Sequence, residues 1–280
     1  MTAETLARRA VSSEKDAVIS VDDLCVRFGG GLFSGPAVHA LRNVSFSVGR
    51  NRTLAIVGES GSGKSTLGAC IAGIQPPTTG TVQIDGRNVT PSVFRADPSL
   101  RRRVQLIFQD PAAALNPRQK VGSILAEPLL VHGLAARADV PTKVADLLRA
   151  VGLGPGIVDR YPHAFSGGQK QRLVIARALA LEPDMLVCDE AVSALDVSVQ
   201  AQIVNLLKDL QETRGITCLF ISHDMAVVRH IADEIIVLKQ GELIESGAAE
   251  DVIANPTSSY TRKLIDSVPR GISHLRGTSS

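Results

Sequence analysis

The chain of 280 residues contains no Trp, 2 Tyr and 7 Phe, so aromatics make up only 3% of it. That scarcity argues against a single-strand nucleic-acid binder built on stacking platforms. A dominant charge is also missing: 30 Lys and Arg offset 28 Asp and Glu to leave +2, and no basic field is present to hold nucleic acid or an anionic membrane. No nucleic-acid partner is expected. Long apolar runs are lacking, the longest lying around Ile235 to Leu238, far short of the ~20 residues a membrane helix needs. The N-terminal stretch carries Arg8, Arg9, Glu14, Lys15 and Asp16 without the apolar segment of a secretory signal, so a cytosolic location is expected. Cysteine is sparse and scattered. Cys25, Cys70, Cys188 and Cys218 form no CxxC and sit in apolar stretches, which marks them as core thiols without metal or redox chemistry. What remains is ordinary globular composition, 44% apolar and 21% charged, with length for one large domain or two modest ones.

Alternating apolar residues from Val18 to Phe28, and again at Val44, Phe46 and Val48, read as opening strands, with Gly29 to Gly35 as a hairpin loop. A compact apolar run, Leu54 to Val57, precedes a Gly/Ser cluster and a helix-compatible segment, Lys64 to Ala72. Val82 with Ile84 and Val104 to Phe108 read as further strands. Between about Val121 and Ala150 the apolar spacing turns helical, interrupted by Pro128, Gly133 and Pro141, which predicts two or three short helices. After Pro162 the rhythm is βαβ: helix Gln169 to Ala180, strand Met185 to Cys188, helix Val197 to Thr213, strand Cys218 to Ile221, a helix to Ala232 and strand Glu234 to Leu238. Such alternation predicts a mainly parallel sheet with ligands at the carboxyl ends of its strands. The fold class is α/β.

The string Gly58-Glu59-Ser60-Gly61-Ser62-Gly63-Lys64-Ser65-Thr66 fits GxxxxGK[ST] and falls between the buried run and the helix, where a phosphate loop must lie. Glycines let consecutive amides turn inward, and the helix adds its positive end, making an anion cradle. Lys64 is placed to reach the β- and γ-phosphates of a nucleoside triphosphate, and the Ser65 hydroxyl to ligate Mg²⁺. Asp189 and Glu190 end a second buried run, Met185 to Cys188. Asp189 is then placed to hold the magnesium, directly or through a water, and Glu190 to face the γ-phosphate and polarise the attacking water. These two elements together give a nucleotide triphosphatase without choosing its family.

Phe165-Ser166-Gly167-Gly168-Gln169-Lys170-Gln171-Arg172 resembles the signature of ATP-binding cassette (ABC) ATPases. Gln109 matches that family's glutamine loop, Ser193-Ala194-Leu195-Asp196 the loop after the catalytic acid, and His223 the switch histidine. Phe28 stands where the family stacks an aromatic on adenine, with Phe33 as an alternative. Phe108-Gln109-Asp110-Pro111 with Leu115-Asn116-Pro117-Arg118, and Pro256 followed by Tyr260-Thr261, resemble ATPase subunits of peptide, dipeptide and nickel importers. Ala191 replaces the usual proline after the catalytic Glu, and Phe165 the usual leucine. With no Cys after Cys218, the iron–sulfur cluster of some relatives is not expected.

The resemblance implies a P-loop NTPase core with an N-terminal antiparallel β subdomain and an inserted helical subdomain. It places the ATPase domain at 18–268, the helical insert at about 119–180, and loose tails at 1–17 and 269–280. It implies ATP and Mg²⁺ as cofactors, with Gln109 joining Ser65 and Asp189 at the metal. Ser166, Gly167, Gly168 and Gln169 would meet the nucleotide of a second cassette, the same chain or a related one, because one chain cannot fold both anion sites onto one ATP. Asp196 would reach across that interface, and His223 would contact the γ-phosphate. The chain is then expected on the cytoplasmic face of a membrane, bound to integral permease subunits and indirectly served by a substrate-binding protein. A soluble ABC ATPase of phosphonate breakdown is the alternative.

Overall fold

The computed structural model describes residues 17–29 and 36–267. Phe33, most of the glycine-rich connection and the expected tails, Ala17 excepted, lie outside the described residues. Strands β1 (Ala17–Phe28), β2 (Val38–Gly49), β4 (Thr79–Ile84) and β5 (Arg87–Asn88) form a four-stranded antiparallel sheet in the order β2-β1-β4-β5. A second sheet runs β10-β9-β3-β8-β7-β6, built from β3 (Thr53–Val57), β6 (Val104–Ile107), β7 (Met185–Asp189), β8 (Thr217–Ile221), β9 (Glu234–Lys239) and β10 (Glu242–Ala248). Its inner pairs are parallel, and β10 joins β9 antiparallel. Every residue of β3 and β8 is buried, as the continuous apolar runs require of parallel strands covered on both faces. Each fully buried Val, Leu or Ile there contributes about 1.5–3 kcal/mol.

Helix α1 (Lys64–Ile71) follows β3, and the short helices α2 (Pro91–Ala96), α3 (Pro98–Arg103) and α4 (Pro111–Ala114) each begin on proline behind a Thr or Asp cap. Next come α5 (Val121–Val131), α6 (Val140–Ala150), α7 (Gly167–Leu179) and α8 (Val197–Arg214). The C-terminal part adds α9 (Met225–Ile231), α10 (Ala249–Ala254) and α11 (Ser259–Asp266). One apolar core joins α5–α8 to β6–β8, a second joins the antiparallel sheet to β3 and α1, and a third lies under α9–α11.

Three local expectations are corrected. Pro128 does not interrupt a helix but lies inside α5, where its burial beside Leu125 and Leu129 offsets the lost backbone bond and the ring's clash with the preceding turn, together about 3 kcal/mol. Phe108 is not strand: β6 stops at Ile107, and Phe108 is 51% exposed. Helix α7 starts two residues early, at Gly167, because Ser166 and Gln169 close a reciprocal capping box. β5, α2, α3, α4, β10, α10 and α11 have no counterpart in the sequence reading.

Candidate active site

Strand register brings the site together. Ile56 pairs with Ile221, which pairs with Asp189, so the carboxyl ends of β3, β7 and β8 share one edge of the sheet. The loops leaving that edge are stitched by backbone bonds: Glu190 N donates to Ile221 O at 3.1 Å, and Ser222 N to Ile56 O at 3.2 Å. The phosphate loop, Glu190 and His223 therefore arrive at one place from three separate strands.

The loop's tight path needs glycine. Gly58 has φ +152°, and a Cβ there would stand 2.2 Å from Leu238 O; at Gly63, φ +104°, it would stand 2.4 Å from Ala40 O. Lys64 is 5% exposed, and its Nζ donates to Gly58 O and Glu59 O, both at 2.8 Å, with Ser62 Oγ at 3.5 Å. Burial lowers its pKa, while Glu190, Asp189 and Glu59 pull the other way. Ser65 Oγ donates to Asp189 Oδ1 at 2.9 Å. Asp189 is raised, by burial first and by Glu190 beside it, against the Ser65 bond and Lys64. His223 Nδ1 lies 3.4 Å from Glu190 Oε1. Glu190 itself sits at φ +48°, a left-handed conformation uncommon outside glycine. Two carboxylates crowded in a partly buried pocket favour a cation. The oxygens of Ser65 and Asp189 are the hard donors Mg²⁺ accepts, and such a site completes itself with water and phosphate oxygens. Among the described residues no group of three or more His, Cys, Asp or Glu is gathered that could hold a metal ion.

Gln109, exposed beyond β6, lines a cleft of about 860 Å³ together with Asp189, Phe108, Glu127, Val131 and Arg177. Phe28 is 43% exposed and pairs with Val38, two residues before the Ala40 carbonyl that abuts Gly63. Ser60, Gly61 and Thr66 complete the loop and its first helical turn. The signature residues stand elsewhere: Ser166 Oγ accepts from Gln169 N at 3.3 Å, and Ser166 N donates to Gln169 Oε1 at 3.1 Å. Among the described residues, no hydrogen bond or ion pair joins 166–169 to 58–66. Gly167 and Gly168 open α7 against the loop that carries Asp196; a Cβ at Gly168 would stand 2.2 Å from Val199 Cγ1, and one at Gly167 3.2 Å from Leu195. Asp196 caps α8 by accepting from Val199 N at 3.0 Å.

A family profile described as ABC transporter matches residues 41–193. The chain belongs to the ABC transporter family. Its cassette is that family's ATPase. The chain is 48% identical over 247 residues to the dipeptide transport ATP-binding protein DppF of Haemophilus influenzae, a match covering 88% of this chain and 76% of that one. Among solved structures it resembles cbiO1 from Clostridium perfringens, part of the ABC transporter complex cbiONQ, with a TM-score of 0.76 at 29% identity over 91% of this chain and 97% of that one. A dimeric post-hydrolysis state of the ATP-binding cassette MJ0796, bound to ADP and Pi, aligns with a TM-score of 0.73 at 29% identity, covering 82% and 98% of the two chains. The family profile stops at residue 193, before His223 and before α11. One contact of that later segment escaped sequence reasoning: Tyr260 accepts a hydrogen bond from Glu59 N in the phosphate loop. A separation of 201 residues leaves no local pattern to announce it.

Proposed function

We propose that this chain is the ATP-hydrolysing subunit of an importer of peptides, dipeptides or a related solute, working through separate membrane subunits. The observation that carries the reading is the convergence of Lys64, Ser65, Asp189, Glu190 and His223 at one sheet edge, taken with relatives named for dipeptide transport. Amides of Gly58 to Thr66 cradle the phosphates, and Lys64, its ammonium held by Gly58 O and Glu59 O, directs its remaining donor to the β- and γ-phosphates. Ser65, Asp189 and Gln109 hold Mg²⁺, which when bound neutralises charge on the phosphate oxygens. Glu190 accepts the proton of the attacking water, and His223, hydrogen-bonded to that carboxylate, contacts the γ-phosphate. Phe28 stacks on adenine.

The signature forms a second anion site. Ser166 with the amides of Gly167 and Gly168, backed by Gln169, meets the nucleotide held by another cassette, and Asp196 reaches across the same interface. ATP binding favours this head-to-tail dimer, and hydrolysis reopens it. The cleft beside Gln109, with exposed Phe108 and Val131 in its lining, seats a permease helix and reports the nucleotide state to it. No helix of the described residues is long and apolar enough to cross a membrane. Permease subunits supply the channel at the cytoplasmic face, and a substrate-binding protein delivers the cargo to them.

Purifying the native complex in detergent tests the assembly; integral membrane chains are expected to co-purify, and their absence rejects the transport reading. Loss of labelled dipeptide uptake on deleting the gene tests the cargo. Mixing Lys64→Met and Ser166→Arg chains tests the dimer. Random pairing of two copies would restore about a quarter of the parent's sites, whereas pairing only with a related subunit would restore none.

A further inference from the structure

The segment from Pro256 to Thr261 marks the importer branch in sequence, yet the site described above gives it no task. Its geometry supplies one. Tyr260, 8% exposed on α11, accepts a hydrogen bond from Glu59 N at 3.0 Å. That N–H is one end of the Gly58–Glu59 peptide; the other end, Gly58 O, accepts from Lys64 Nζ at 2.8 Å. Gly58 lacks a side chain and stands at φ +152°, so nothing of its own restricts rotation of this peptide.

The tyrosine is in turn held from two sides. Lys239 Nζ lies 5.0 Å above the centre of its ring. Glu245, 8% exposed on β10, accepts from Thr257 N at 2.8 Å and Ser258 N at 3.1 Å, and Ser258 Oγ accepts from Tyr260 N at 3.2 Å. A buried carboxylate thus fixes the turn that launches α11.

The geometry points to Tyr260 as a positioning residue for ATP binding: it clamps the phosphate-loop peptide that orients Lys64, and Glu245 anchors the clamp. The C-terminal segment, outside the span of the family profile, then sets nucleotide affinity through one backbone amide. This rests on Lys64 being the phosphate-binding lysine.

The test uses the full chain with ATP as the probe, reading KM and kcat for hydrolysis and the ¹H–¹⁵N signal of the Glu59 amide. Tyr260→Phe keeps the ring and removes the acceptor. The amide proton is expected to shift upfield and KM to rise about three- to tenfold with kcat within about twofold. A KM unchanged within twofold overturns the proposal, whatever happens to kcat. Glu245→Gln, which leaves the tyrosine in place, is expected to raise KM in the same direction and serves if Tyr260→Phe does not fold; no rise overturns the anchor. Glu59→Pro deletes the amide hydrogen, so Tyr260→Phe should add nothing to KM in that background, whereas a merely structural tyrosine would add its full effect. Lys64→Met separates the two readings. If it binds ATP as the parent does, the phosphate-loop assignment has failed; if it loses ATP and Tyr260→Phe does not weaken binding, only the clamp has failed.

Discussion

His223 Nδ1 stands 3.4 Å from Glu190 Oε1, although the two residues leave different strands, β8 and β7. The pair is held because Glu190 N bonds to the last carbonyl of β8, which also fixes the start of the histidine loop. A carboxylate with a histidine beside it can take a proton from water while its neighbour faces the phosphate. Glu190→Gln keeps the shape and removes the base. Phosphate release is expected to fall by about 100-fold or more, with ATP affinity within about threefold of the parent. Hydrolysis that survives the substitution unchanged would remove Glu190 from this role.

The Ser65 to Asp189 bond makes a separate prediction about the metal. Its two oxygens, 2.9 Å apart, face each other across the phosphate-loop helix and β7, and Asp189 is already raised by burial. Asp189→Asn leaves a neutral ligand set, so half-maximal hydrolysis should require at least about tenfold more Mg²⁺. Titrating phosphate release against Mg²⁺ at saturating ATP measures this. A curve superimposable on the parent's would place the metal elsewhere.

Much of this site is legible in the sequence, because each part is local. A phosphate loop is a run of nine residues, and Asp189 with Glu190 ends a short apolar run that reads as a buried strand and is one. What was not legible is what tertiary contacts decide. Pro128 reads as a helix breaker from sequence, yet burial keeps it helical. Tyr260 gives no sign of its partner Glu59, because the pairing depends on β10 turning back antiparallel to β9 and carrying α11 over the loop. Phe108 reads as one more buried strand residue, and only the chain's exit from β6 exposes it beside Gln109.

The second glycine of the signature is required by packing rather than by backbone conformation. A Cβ at Gly168 would lie 2.2 Å from Val199 Cγ1, on the helix that Asp196 caps. Gly168→Ala should therefore cost about 1–3 kcal/mol of stability by overpacking. Adding Val199→Ala removes the obstructing methyls, and the double variant should recover most of the loss in thermal unfolding. If the double variant is as unstable as the sum of the singles, the contact is not the cause.

At the amino end of β9, opposite the sheet edge that carries the phosphate loop, Glu234 is 8% exposed and its Oε2 lacks a hydrogen-bond partner among the described residues. Burial raises its pKa from 4.5 to about 7, with Arg52 opposing the rise and Asp233 adding to it. A carboxyl whose folded pKa exceeds its unfolded one binds more protons in the folded state. Its contribution is therefore most favourable below the unfolded value of 4.5, and it declines as pH rises through about 7. The full effect, in which the opposing Arg52 is already included, is of the order of 1–3 kcal/mol once the water that reaches the site is allowed for. Glu234→Gln is neutral at every pH and keeps the shape. Its melting temperature should match the parent's within a degree or so near pH 4.5 and exceed it by about 2–6 °C at pH 8. A difference that stays constant between those pH values would mean that Glu234 is ionised in the folded chain throughout, held by Arg52 rather than neutralised by burial.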